Sequence, residues 1–159
     1  MSVVTFKPHD RKDIPLRVKW LNNKKANVCA IDNPESETTL EKETKWFDEY
    51  EKNPAKKFFT IYSDETPIGL MGLSNIDLNT KTAKLFILIG EDEYRGKGIG
   101  KTSLKYLVDY AFDDLKLDSV LLEVKRVNYP AIKLYESFGF VDNGPGDKEF
   151  RHMILANRE

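Results

Sequence analysis

Apolar residues follow two periods along this chain. Between residues 57 and 89 they come in short runs, Phe58-Phe59-Thr60-Ile61-Tyr62, Ile68 to Leu73 and Ala83 to Ile89, parted by the turn-rich Ser63-Asp64-Glu65-Thr66-Pro67 and Asp77-Leu78-Asn79-Thr80. Such runs predict three strands, and turns this short predict that they pair antiparallel as a meander. Beyond the third strand the period lengthens. Leu104, Leu107, Val108, Ala111, Phe112 and Leu115 share one face of a predicted helix, while Lys101, Lys105, Asp109 and Asp113 share another. Val120 to Val124 then reads as a strand, and the order strand, helix, strand predicts a parallel pair joined by a right-handed crossover. Asn128 caps a further predicted helix, with Pro130 in its first turn, Ala131, Leu134, Tyr135 and Phe138 as its buried stripe, and Gly139 at its end. Residues 140–143 and 150–155 supply the last strands, around the turn Asn143-Gly144-Pro145-Gly146.

The N-terminal third is less periodic. Val3 to Lys7 can form a strand, and a helix is expected from near Asp13, with Pro15 in its first turn. Residues 22–36, which include Asn33-Pro34, read as an irregular connection. Thr38-x-x-Glu41 has the form of a capping box, and Leu40, Phe47 and Tyr50 recur at helical spacing up to Asn53-Pro54. The sum is a mixed α/β chain of 159 residues, a length that suits one domain with a sizeable core.

Chemistry concentrates where the third strand of the meander meets the long helix. Three glycines fall within five positions, Gly96, Gly98 and Gly100, and no acidic residue occurs from Tyr94 to Tyr106. Glycines leave backbone amides bare, and they do so here where a helix dipole begins, which makes an anion site suited to phosphate. Arg95, Lys97, Lys101 and Lys105 surround it. A Walker A loop needs four residues between its first glycine and Gly-Lys-Ser/Thr, but only Lys97, Gly98 and Ile99 lie between Gly96 and Gly100-Lys101-Thr102. The dinucleotide pattern G-x-G-x-x-G fails as well, because its third glycine position falls on Lys101.

Composition narrows the remaining possibilities. With 40% hydrophobic residues, 32% charged residues and a net charge of -1, the chain has no general attraction for nucleic acid or an anionic membrane. No apolar run approaches the roughly 20 residues of a membrane span, and the N-terminus lacks a signal-peptide pattern, so a cytoplasmic protein is expected. Cys29 is alone and reads as a small core or surface residue; His9 and His152 are too isolated to suggest a site, and no metal is expected. Between Glu35 and Glu51 seven acids stand against two lysines. They would suit a cationic substrate, but a solvated helix face is the commoner reason for such a run.

Arg95-Gly96-Lys97-Gly98-Ile99-Gly100 has the form R-x-x-G-x-G, and Asn128-x-x-Ala131-x-x-x-Tyr135-x-x-x-Gly139-Phe140 follows it. With these motifs and this order of elements, residues 58–155 resemble the GCN5-related N-acetyltransferase (GNAT) superfamily. Trp20-Leu21-Asn22-Asn23 and the general layout look like its ribosomal-protein and spermidine acetyltransferases. Glu123, twelve positions before Tyr135, matches the glutamate and tyrosine of the enzymes that acetylate N-terminal alanine on ribosomal proteins. The resemblance implies a mixed sheet with an N-terminal antiparallel meander and a splayed parallel pair, residues 83–89 and 120–124. It further implies that acetyl-CoA is the co-substrate, with its pyrophosphate on Arg95, Gly96, Lys97, Gly98, Ile99, Gly100 and Lys101, its pantetheine arm along Ile87, Leu88 and Ile89, and Asn128 further along that arm.

Acetylating an amine requires a base, because an alkyl amine is mostly protonated at neutral pH, and it requires help for the departing thiolate. Tyr135 is the candidate acid; its other reading is a buried aromatic with a satisfied hydroxyl. Glu123 faces away from Leu122 and Val124, so it either lines the cleft and relays a proton through water or pairs with Lys125 at the surface. The amide of Leu88 or Ile89 is the expected oxyanion donor. An acetyltransferase acting on a primary amine of a small molecule or a protein N-terminus is therefore expected, with a homodimer compatible with this architecture. The alternatives are a non-catalytic acyl-CoA-binding module acting through a partner, and a P-loop protein that ATP would stabilise more than coenzyme A.

Overall fold

A computed structural model describes residues 2–27 and 37–157 of the chain. Its strands are β1 (Val4–Pro8), β2 (Lys57–Ser63), β3 (Thr66–Asp77), β4 (Thr82–Ile89), β5 (Ser119–Lys125), β6 (Val141–Asp142) and β7 (Phe150–Ala156). The helices are α1 (Ile14–Leu21), α2 (Lys24–Asn27), α3 (Leu40–Tyr50), α4 (Ile99–Asp109) and α5 (Tyr129–Phe138). The strands form one sheet in the order β1-β2-β3-β4-β5-β7-β6. Every neighbouring pair is antiparallel except β4 and β5, which run parallel.

That parallel pair is short. Thr82, Ala83 and Lys84 pair with Ser119, Val120 and Leu121, and there the ladder stops. Each strand continues on its outer side, β4 against β3 up to Ile89 and β5 against β7 up to Lys125. The sheet is therefore split in its interior, between Leu85–Ile89 on one side and Leu122–Lys125 on the other.

Alternation gives the sheet two distinct faces. On one, Ala83, Leu85, Val120, Leu122 and Val124 join Leu104, Leu107 and Ala111 of α4 and Ile132 and Tyr135 of α5 in the main core. On the other, Phe86 and Leu88 pack with Leu70 against Trp20 of α1. The period of two along β4 and β5 thus assigns Lys84 and Glu123 to the α1 face.

Several local expectations shift. Helix α3 is capped by Thr39, whose hydroxyl accepts from the Lys42 amide at 3.2 Å, rather than by Thr38. Thr38 instead donates to Glu43, and Leu40 is exposed instead of joining the apolar stripe. The expected irregular connection contains α2, and residues 28–36, with Cys29, lie outside the described residues. Helix α4 widens into a π-helical turn at Tyr110–Asp114, so Phe112 and Leu115 are only half-buried while Leu117 enters the core. In α5 the deepest residues are Ile132 and Tyr135; Ala131, Leu134 and Phe138 flank them half-buried.

Candidate active site

The glycine loop meets α4 as its sequence requires. Gly96 and Gly98 have φ of 75° and 81°, values that carry strain for any side chain, and an added Cβ at either would meet nothing within 4 Å. Gly98 is the N-cap residue and no side chain caps the helix, so the amides of Ile99, Gly100 and Lys101 lack intrahelical partners and the space beside them is open. Gly100 serves packing instead: its Cβ would lie 3.5 Å from Leu134. This arrangement fits a pyrophosphate.

The four cations around the loop separate into two kinds. Lys97 and Lys101 have no ion-pair partner among the described residues. Lys105 pairs with Asp109 at 2.8 Å. Arg95 turns back from the loop, pairing with Asp92 and donating from Nη1 to the Ile89 carbonyl at 2.6 Å.

At the upper end of β4 the backbone alternates between its two neighbours. Gly90 donates to Ile68 O at 2.8 Å, so the even-numbered amides, that of Leu88 included, face β3. Those of Ile87 and Ile89 then face the split. Of the two expected oxyanion donors, Ile89 alone is directed into the cleft, and Leu88 belongs to the β3 ladder.

Tyr135 lies on the α4/α5 face, 8% exposed and packed edge-on against Phe140 with ring centroids 5.7 Å apart. Its hydroxyl has no hydrogen-bond partner among the described residues, and burial pushes its pKa up to about 12. The phenol is therefore protonated throughout the neutral range and can act as a proton donor, not as a base. Asn128 caps α5, its Oδ1 accepting from the Ala131 amide at 3.4 Å. Glu123 sits on the opposite face, where the split begins. It pairs not with Lys125 but with Lys84, at 2.5 Å, while Lys125 is 3.4 Å from Glu149. The pair borders a cavity of about 180 Å³ that Asn75, Thr82, Asn143 and His152 also line.

Sequence reading missed two features here. Lys84 was legible only through strand register, because its side chain and that of Glu123 share a face of adjacent strands. His9 lies in a buried polar network rather than alone. Arg17 Nη1, which can only donate, meets His9 Nε2 at 3.3 Å, and His9 Nδ1 then donates to Thr60 Oγ1 at 2.7 Å. Thr60 in turn donates to Asp13 at 2.8 Å, and Arg17 donates through Nε to Glu43 at 2.8 Å.

The sequence profile of the acetyltransferase (GNAT) family matches residues 25–140. The chain belongs to that family. This acetyltransferase is 27% identical over 159 residues to the acetyltransferase PseH of Campylobacter jejuni, covering all of this chain and 96% of that one. It is 29% identical over 149 residues to the spermidine N(1)-acetyltransferase of Vibrio cholerae, with 94% and 85% covered. The crystal structure of spermidine N-acetyltransferase from Vibrio cholerae with CoA and spermine superposes with a TM-score of 0.88 at 23% identity, covering 96% of this chain and 95% of that one. The split sheet is thus the GNAT fold, and the protein is an acetyl-CoA-dependent N-acetyltransferase.

Proposed function

We propose that the enzyme passes the acetyl group directly to a primary amine across the split between β4 and β5. Residues 95–101 hold the pyrophosphate, with Lys97 and Lys101 supplying charge. Ile87 and Ile89 pair with the pantetheine arm, and Asn128 meets it further along. The Ile89 amide faces the developing oxyanion, Tyr135 protonates the departing thiolate, and Glu123 takes the amine proton through water. The observation that carries the reading is Tyr135: its ring is buried, while its hydroxyl is protonated, has no protein partner among the described residues and is not sealed from solvent. A phenol with no protein partner and access to solvent is available to donate to a ligand in the split.

Spermidine, the acceptor named for one of the relatives, supports a small cationic amine over a protein N-terminus. The charged thioester co-substrate does not cross membranes unaided, which supports a cytoplasmic setting. A homodimer belongs to the same reading, since β6 is a two-residue edge strand with Val141 exposed.

A panel of amines read by thiol release identifies the acceptor, and Tyr135→Phe then tests the assignment. General-acid help is worth about 100-fold to 10,000-fold, so kcat and kcat/KM should fall together by that order while CoA affinity holds. Full turnover by the folded variant, with only stability reduced, would remove Tyr135 from the catalytic group.

A further inference from the structure

We propose that Asn23 and Glu91 are positioning residues for the phosphate loop: through them α1 and the turn that follows it hold the junction of β4 and α4 in the shape that receives coenzyme A. The proposal rests on the loop assignment above.

The contact begins with Trp20, which is fully buried at the end of α1. Its indole lies so close to Gly90 that a Cβ there would sit 2.1 Å from the ring, so only glycine lets β4 pass beneath the helix. Trp20 Nε1 donates to Glu91 Oε2 at 2.6 Å, and Lys19 Nζ donates to Oε1 of the same carboxylate at 2.9 Å. Burial alone would raise the Glu91 pKa, but these two donors outweigh it and hold the group below its usual value, ionised and engaged. One turn on, Asn23 Nδ2 donates both to the Gly90 carbonyl and to Asp92 Oδ1, each at 2.9 Å. Asp92 pairs with Arg95, and Arg95 returns to the Ile89 carbonyl. Three consecutive residues, Gly90, Glu91 and Asp92, are thus fastened to α1 and to the turn that follows it, and the fastening ends on the residue that opens the loop.

The loop needs such an anchor. Gly96 and Gly98 stand at positive φ, and the Thr102 hydroxyl, which donates to the Gly98 carbonyl at 3.3 Å, makes the only side-chain hydrogen bond to either among the described residues; glycine loses more freedom than any other residue when fixed. Its far end is built into α4, while its near end depends on Arg95 and hence on the bonds from α1. Without those bonds the receiving conformation becomes a smaller fraction of the population, and the apparent dissociation constant rises by the reciprocal of that fraction.

The experiment is CoA titration by calorimetry on Asn23→Ala, Glu91→Ala and Glu91→Gln, with Gly98→Val alongside as a test of the loop itself. One net hydrogen bond is worth roughly a fivefold factor, so Asn23→Ala and Glu91→Ala should each weaken CoA binding by about 5-fold to 20-fold. Glu91→Gln keeps an acceptor for the indole and should restore most of the affinity, which a generally damaged protein would not do. Hydrogen exchange at the bonded amides of Arg95 and Thr102, which donate to the Asp92 and Gly98 carbonyls at 3.3 Å each, supplies a second readout that tolerates lowered stability, and Asn23→Ala should accelerate it. Unchanged CoA affinity and unchanged exchange in these variants overturn the positioning role. If Gly98→Val also binds CoA normally, the loop assignment itself falls; if Gly98→Val alone loses binding, that assignment stands and the anchor is refuted.

Discussion

Gly98 and His9 show how far one residue can carry a function or a pH response. At Gly98 a valine would impose a Cβ at a φ of 81° and place it in the open space beside the loop amides. Calorimetry should show CoA affinity reduced by at least about 10-fold, with the fold retained, because that Cβ meets no protein atom. His9 concerns stability instead. Burial, reinforced by the charge of Arg17, pushes its pKa down to about 3. The unfolded chain binds a proton there as pH falls through about 6.5 and the folded protein does not, so stability present at neutral pH is lost progressively toward about pH 3. Between pH 6 and 5, before most carboxylates titrate, urea unfolding should lose up to about 1.4 kcal/mol per pH unit. His9→Gln should flatten that slope.

Among the elements, the tie between α1 and α3 is the most exacting. Arg17 and Glu43 meet with side chains only 5% and 9% exposed, and Arg17 also lies over the Trp46 ring at 3.6 Å. Removing one member of a buried pair strands the other, so Arg17→Met should cost about 3 to 5 kcal/mol in urea unfolding. Replacing both, as Arg17→Met with Glu43→Leu, should recover only part of that, because His9 and Thr38 lose their partners as well. None of this was legible in the sequence. Periodicity located α3 and its buried Phe47, but Thr38 and Thr39 are equally good caps as letters, and only the demand of Glu43 for a donor decides between them. Patterning worked where burial is continuous, in β2 to β5, α4 and α5. It failed where short polar side chains answer one another across distant parts of the chain, as His9, Thr60 and Asp13 do. At the candidate site, the glycine spacing and the Asn128 to Phe140 block were readable because backbone geometry demands those letters. The turn of Arg95 away from the loop was not, because Ile89 and Asp92 capture it in three dimensions.

For the molecule as a whole, the decisive feature is that Tyr135 and Glu123 belong to opposite faces of one sheet. Under the proposed assignment, the proton that leaves the amine and the proton that reaches the sulfur are different protons. One is deposited on the α1 side, where Lys84 pairs with the carboxylate, and the other is drawn from the α4/α5 side. An amine that enters as ammonium loses two protons while the sulfur gains one, so each turnover leaves Glu123 a proton richer and Tyr135 a proton poorer and gives one further proton to solvent. Water in or around the split must carry a proton from one group to the other, so the return to the starting state is a separate event from acetyl transfer. In heavy water, that recovery should slow independently of the chemistry whenever the release of product is fast.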